Sequence, residues 1–428
     1  MMVAALVTVL LLVLILIRVP IVFAILGSGI VGMLLVGGPS AVFGVLQTIP
    51  QSAAGKNALA AIPLFILMAQ FVLHSGVLDR LFDSVSTCVG RMPGGTAVAS
   101  VGAGAVFASV SGSSMAAAAT LAHTSTRRMI DEGYSTSFSS GVVVAAGTLA
   151  AMIPPSVLLV FYAITAETSV GAMLIAGIVP GLLVAGALLL TVFVLIARPG
   201  STAPSGQAYP WRAKVRSLSA VGPMVFLFVL VVGLVFLGIT TATEAAALGV
   251  LGAFLLMVMK GTATWENIRV SLRDSLSTSI MILAIIVAAH VYGHFITETR
   301  VTPRLVEMAE ALPLPPLAII ALLALGYLAL GFFMDQLAII ALTVPVTLPI
   351  VTLLGYDPIW FGIIVVLLAE IGLMTPPLGL NVFVVAKAAR LPVETVFWGA
   401  TPFAVAVFLV AVLLFLAPGL VLFLPNMM

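Results

Sequence analysis

Residues 370–381 read Glu370-Ile371-Gly372-Leu373-Met374-Thr375-Pro376-Pro377-Leu378-Gly379-Leu380-Asn381, and residues 152–156 read Met152-Ile153-Pro154-Pro155-Ser156. Each double proline interrupts a long apolar run, Ile359 to Val385 in the first case and Gly141 to Tyr162 in the second. A proline inside a helix lacks the N–H that would bond the carbonyl four residues earlier, and its ring crowds that carbonyl, at a cost of about 3 kcal/mol or more. The carbonyls released here belong to Ala150, Ala151, Gly372 and Leu373. In hydrocarbon such groups are too costly to leave bare, so a break of this kind persists only where protein, water or an ion satisfies it.

The rest of the chain places these breaks in lipid. Of the 428 residues, 62% are hydrophobic and only 7% charged, and the mean hydropathy is +1.30, a composition that leaves too little polar surface for a soluble protein. Further runs long enough to cross a bilayer as helices are Gly171 to Ala197, Val221 to Leu237, Ser279 to Phe295 and Ala400 to Leu424. Val3 to Ile17 ends at Arg18 and Pro20 without a small-residue cleavage site, and reads as a retained membrane helix rather than a signal peptide. The only long polar interruption, 198–218, is a Pro/Ser/Gly-rich linker between a first half (1–197) and a second half (219–428). One cysteine, Cys88, excludes an internal disulfide and a cysteine metal cluster. The net charge of +2 comes from basic residues scattered over loops, which does not fit nucleic-acid binding.

Loop charges give a threading. Lys and Arg collect on the cytoplasmic side of membrane proteins, and placing the linker inside puts fourteen of the 17 basic residues there, leaving Lys56, Arg300 and Arg304 outside. This threading requires two regions to enter and leave on one side: hairpin 1 (95–127), interrupted by Ser111-Gly112-Ser113-Ser114, and hairpin 2 (315–354), interrupted by Gly331-Phe332-Phe333-Met334-Asp335. Hairpin 1 enters from the cytoplasm and hairpin 2 from outside, and each precedes a broken helix, 141–163 or 359–385. The expected fold is an all-α polytopic membrane protein of inverted repeats, with both termini on the periplasmic side. Inverted repeats with broken helices mark secondary transporters.

The chemistry follows from the ligands on offer. Sodium wants oxygen, and unwound carbonyls with hydroxyls supply it without a dedicated carboxylate. One cation site is expected where Ser111, Gly112 and Ser114 meet Gly147, Ala150 and Pro154. A second is expected where Gly331 and Asp335 meet Gly372, Thr375 and Leu378. An anionic substrate would sit between them, near Ser113, Pro155, Pro377 and Asn381, reached by the positive ends of half-helices.

Several segments carry a family resemblance: Ala108 to Ser114, Ala146-Gly147-Thr148 through Ser156, Phe333-Met334-Asp335-Gln336, Asp357 to Phe361, and above all Glu370 to Asn381. With them the chain resembles, over essentially its whole length, the DctM-type large subunit of tripartite ATP-independent periplasmic (TRAP) transporters. The resemblance implies sodium-driven uptake of a small carboxylate across the bacterial inner membrane by an elevator motion. It implies a small four-helix membrane subunit, expected as a separate polypeptide, and a periplasmic binding protein that delivers the substrate. As cation ligands it implies Ser111, Ser114, Gly147 and the Ala150 to Pro154 turn, and Gly331, Gly372, Thr375 and the Leu378 carbonyl. The single Gly147 after Ala146 departs from the paired glycines of many relatives.

Other functions are weaker fits. A channel filter usually repeats one short loop about a symmetry axis, whereas these two hairpins differ. An enzyme is not expected, because no Gly-x-Ser-x-Gly, His-Glu-x-x-His or paired intramembrane aspartates occur. A sodium/carboxylate symporter that works without a binding protein shares the same logic and is separated only by the resemblance. No cofactor is expected beyond Na⁺ as coupling ion. Asp335 is a candidate for binding or for stabilising its hairpin, while Glu244 and Glu370 read as carboxylates held by backbone or a neighbouring helix. His290 and His294 lie one turn apart without a third ligand, and Lys56 reads as an interfacial lysine. Trp211, Trp265, Trp360 and Trp398 are expected at membrane interfaces.

Overall fold

The computed structural model describes residues 2–198, 209–311 and 313–428, and among them the regular structure is helical, without strands. The first half runs α1 (Met2–Leu16), α2 (Ile21–Ala54), α3 (Ala61–His74), α4 (Val77–Val89), α5 (Gly95–Ser111), α6 (Ser114–Leu121), α7 (Arg127–Asp131), α8 (Thr136–Met152), α9 (Val157–Thr165), α10 (Val170–Ala176) and α11 (Ile178–Ile196). The second runs α12 (Trp211–Phe228), α13 (Leu234–Phe236), α14 (Ala242–Met259), α15 (Trp265–Glu298), α16 (Val301–Ala311), α17 (Pro316–Gly331), α18 (Gln336–Leu353), α19 (Pro358–Met374), α20 (Leu380–Ala389), α21 (Val393–Leu416) and α22 (Pro418–Leu422). Six of the described spans are long and apolar enough to cross a bilayer, and up to eight if each bent helix pair counts as one; α8 and α9 form such a pair, bent by 44°.

Sequence explains where the centre lies. Helices α8 and α19 are apolar on every face, the pattern of a helix buried all round, and nearly every residue from Ser139 to Met152 and from Trp360 to Met374 is buried. α8 packs against α5, α6 and α21, and α19 packs against α17, α21 and α8. The outer helices instead present apolar residues outward, such as Leu182 and Leu190 of α11 and Leu409 of α21. In water that surface would be a liability; in hydrocarbon it is ordinary solvent contact. α15, with 34 residues, lies along α2 and α3.

Two short amphipathic helices, α4 and α16, lead into the helix pairs α5–α6 and α17–α18. Arg128 of α7 reaches back to α4, 2.7 Å from Asp83 and over the ring of Phe82. Glu244 closes a capping box with Thr241 at the start of α14.

Three expectations are corrected. First, the linker ends earlier than read: residues 199–208 lie outside the described residues, but α12 already begins at Trp211. Its early residues pack on α4, where Lys214 Nζ donates to the Cys88 carbonyl (2.9 Å) and completes a helix end that lacks its own partner. Second, Trp360 is no interface anchor. It is fully buried, stacked on Tyr356 with ring centres 5.1 Å apart, whereas Trp211, Trp265 and Trp398 are exposed. Third, the Ala400–Leu424 run is not continuous, because α21 stops at Leu416, two residues before Pro418. Pro418 deprives the Leu414 carbonyl of its helical donor, and Trp360 Nε1 supplies the missing bond at 2.9 Å.

Candidate functional site

The first break is the non-helical turn between α8 and α9. Ser156 caps α9, accepting from Leu159 N–H (3.3 Å) and donating to the released carbonyl of Ala151 (2.7 Å). The Ala150 carbonyl, whose donor would be Pro154, accepts no hydrogen bond among the described residues. The Pro154–Pro155 peptide is cis, as is Pro376–Pro377.

The tip between α5 and α6 closes on this break. Gly112 turns the chain with φ +60°, and a Cβ there would stand 3.0 Å from the Pro155 carbonyl and 3.1 Å from the Val157 nitrogen. Only glycine meets both demands. Beside it, the Ser111 hydroxyl is buried without a partner, and Ser113 caps α6 by accepting from Ala116 N–H at 3.4 Å. Gly147 lies in α8 against Ala118 of α6, so the helix pair rests on α8 as well as on the break.

The second break, between α19 and α20, repeats the scheme with different partners. Thr375 Oγ1 donates to the Ile371 carbonyl (2.8 Å), and Thr375 N–H reaches the released Gly372 carbonyl (3.3 Å). The Leu373 carbonyl, facing Pro377 four residues on, accepts none among the described residues. Leu378 N–H donates to the Phe332 carbonyl at the tip between α17 and α18 (3.3 Å). Gly372 and Gly331 meet backbone to backbone, since a Cβ on Gly372 would overlap the Gly331 peptide. Asn381, in the first turn of α20, is fully buried with neither side-chain Oδ1 nor Nδ2 partnered.

A cavity of about 240 Å³ lies between the two tips. Ser111, Ser113 and Ser114 line it from one tip and Asp335 and Gln336 from the other, with Gln70 of α3 and Thr278 of α15 opposite. Of the residues expected near the substrate, Ser113 lines this cavity, and Pro155, Pro377 and Asn381 do not. Asp335 also sits elsewhere than expected: it faces this cavity and caps α18 by accepting from Leu337 N–H (2.9 Å), whereas Gly331 and Phe332 make the contacts to the second break.

Glu370, read from the sequence as a carboxylate held by backbone or a neighbouring helix, meets Gln336 of the second tip, and Gln336 and Gln70 are polar residues that the sequence did not single out. Gln336 Nε2 donates to Glu370 Oε1 at 2.5 Å. Glu370 Oε2 is buried without a partner. Gln70 is the one amide in the apolar α3, its Oε1 buried and unpartnered. A lone polar residue in an apolar run is the signal that could have found it. Among the described residues no three His, Cys, Asp or Glu side chains gather to hold a metal. His290 bonds its own helix at the Ile286 carbonyl (2.7 Å).

Residues 8–420 match the family model described as the DctM component of the tripartite ATP-independent periplasmic transporter. The chain belongs to the DctM family. It is therefore a TRAP transporter permease and a multi-pass membrane protein, not an enzyme. It is 36% identical to the C4-dicarboxylate TRAP transporter large permease protein DctM of Pseudomonas aeruginosa, over 86% of each chain. It is 30% identical to the sialic acid TRAP transporter large permease protein SiaM of Vibrio cholerae, again over 86% of each. The solved structure of the Alcanivorax borkumensis YdaH transporter shares its fold with a TM-score of 0.65 over 89% of both chains, at 16% identity. Membership in a tripartite system implies further components beside this DctM permease, a small membrane subunit and a periplasmic binding protein.

Proposed function

We propose that this DctM permease takes up a small organic acid, of the C4-dicarboxylate or sialic acid class that its relatives' names carry, in symport with sodium across the bacterial inner membrane. The observation that carries the reading is the pair of unsatisfied main-chain oxygens, Ala150 and Leu373, each at a proline break whose other released carbonyl is already taken up. Around each stand buried polar groups without partners, the Ser111 hydroxyl in one repeat and the Asn381 amide in the other. Oxygens arranged this way suit a hard, monovalent cation better than any ligand that needs imidazole or thiolate. Ser111, Gly112, Ser114, Gly147, Ala150 and Pro154 form the first cation site in this reading. Gly331, Gly372, Thr375 and Leu378 form the second, and Asp335 turns to the substrate cavity. The substrate rests between the tips beside Ser113 and Gln336, delivered by a periplasmic binding protein and supported by a small four-helix subunit. Hairpins 95–127 and 315–354 and their broken helices move together against the remaining helices, and both termini face the periplasm.

The test is uptake by proteoliposomes holding this chain with its small subunit and binding protein. Labelled C4-dicarboxylate and sialic acid are each offered with and without an inward sodium gradient. Uptake that follows the gradient and saturates supports the reading. Thr375→Ala should raise the sodium concentration needed for half-maximal uptake while the protein still folds, and Ser111→Trp should abolish uptake. Uptake indifferent to sodium sinks the coupling, and full uptake without a binding protein replaces the tripartite reading with a two-component symporter.

A further inference from the structure

A second cavity lies on the flank of the molecule, with Met334 of the tip between α17 and α18 in its wall. It measures about 570 Å³ and is bounded by Thr8 and Leu12 of α1, Val301 and Leu305 of α16, and Leu342 and Val346 of α18. We infer that this seam is a binding site for an anionic phospholipid, with an acyl chain in the cavity and the phosphate held by Arg300 and Arg304. The inference stands apart from sodium coupling and from the substrate cavity.

The cavity wall asks for hydrocarbon. Its hydroxyls are spent on the protein: Thr8 donates to the Ala4 carbonyl (2.8 Å) and lies 3.1 Å from the Tyr292 hydroxyl. Thr343 donates to the Ile339 carbonyl (2.5 Å), and Thr347 donates to the Thr343 carbonyl (3.0 Å) and meets the Tyr327 hydroxyl at 2.7 Å. A buried water needs two to four polar partners, and apolar cavities stay dry. The cavity is continuous with the lipid-facing side, because Val9 and Leu12 line it and are themselves exposed beside Leu6 and Val13.

Charge fixes the other end of the ligand. Arg300 and Arg304 immediately precede Val301 and Leu305, the two residues of α16 on the cavity wall, and both are exposed. Neither guanidinium forms an ion pair or hydrogen bond among the described residues, although Glu307 follows Arg304 by three positions and Glu298 lies near His294 instead. They are also two of the three basic residues that the loop-charge rule left on the outer side. A guanidinium matches phosphate geometry with paired donors. A phospholipid seated here would give both arginines a counter-charge and fill the space behind them.

The experiment uses the full chain in phosphatidylcholine nanodiscs containing a minor fraction of phosphatidylglycerol with a photoreactive group in mid-chain. Crosslinks are mapped by peptide mass spectrometry. Capture should concentrate on Leu12, Leu342 and Val346, and should fall about five-fold for each of Arg300→Gln and Arg304→Gln, the change expected of one basic residue near an anionic headgroup. Leu342→Trp should block capture, and Leu6→Trp on the open face of α1 should not. The arginine variants are on the surface and keep the test valid if Leu342→Trp fails to fold. Equal capture of photoreactive phosphatidylcholine, or crosslinks as frequent on Leu6 and Val13 of the open face as on the cavity wall, would overturn the proposal. So would displacement of the crosslinks to the small subunit when the two are purified together.

Discussion

The two double-proline breaks share a sequence device and differ in their surroundings. Around the first, Pro154, Pro155 and Ser156 are all buried, and Gly112 of the neighbouring tip seals the turn. Around the second, Pro376, Pro377 and Leu378 are exposed, Leu378 at 41%, and a single hydrogen bond from Leu378 N–H ties the turn to the facing tip. The Leu414 carbonyl gives a third case, in which a proline frees an oxygen and a buried tryptophan satisfies it at once. A proline break is therefore not in itself a binding site; what distinguishes the first two is an oxygen that the protein leaves over. Of the pair, the second is the more exposed.

The largest difference should appear in chemical access. Leu378→Cys should react with a membrane-impermeant maleimide from one side of the vesicle, while Ser156→Cys stays silent over the same time; equal labelling would erase the distinction. Next comes the joint between the second tip and α19. Gln336→Leu removes the donor from a buried carboxyl and should cost about 2–3 kcal/mol, read as a lower unfolding midpoint and a loss of uptake. If stability is unchanged, the Gln336–Glu370 contact does not hold the second tip on α19. The two capping hydroxyls should then rank by burial. Ser156→Ala bares the Ala151 carbonyl in the sealed break, at about 1–2 kcal/mol, and Thr375→Ala should cost below about 1 kcal/mol because its break is already open. The reverse order would contradict the reading of which break is closed.

The smallest effect belongs to the pair between Lys56 and Glu167 (2.5 Å), one residue ahead of α3 and the other beyond α9. The hydrogen bond from Lys56 holds the Glu167 carboxyl below its ordinary range. A carboxylate whose value is depressed in the folded state stabilises fully above its unfolded value, and that contribution fades as pH falls through the lower, folded one. Both side chains are largely exposed, so Glu167→Gln should change stability by about 1 kcal/mol at most, less in high salt and less at acid pH. A pH-independent difference between Glu167→Gln and the parent would remove the pair from the account.

How much of this was legible beforehand depended on the range of the interaction. Proline, glycine and apolar run length are local signals, and they located both breaks, both tips and the released carbonyls. Contacts between distant segments have no such mark. Nothing in the neighbours of Trp360 announces that its indole serves residue 414, so its position near a helix start read as an interface. Asp335 and Gly331 are four residues apart, yet one faces the cavity and the other the second break, because the turn between α17 and α18 points them in different directions. Glu370 read as a carboxylate held by backbone or a neighbouring helix, but that its partner is Gln336, 2.5 Å away, came only with the fold.

The length of α15 has a mechanical meaning. At about 1.5 Å per residue its 34 residues extend about 51 Å, whereas the oily slab of a membrane is about 30 Å thick. Glu266, Arg269, Arg273 and Asp274 fall near its first end and only Glu298 closes the other, so most of the surplus is expected at the first end. A bilayer would grip this rod along its apolar stretch, and the remainder, about four turns, would extend beyond it packed on the end of α3 through Ser271 and His74.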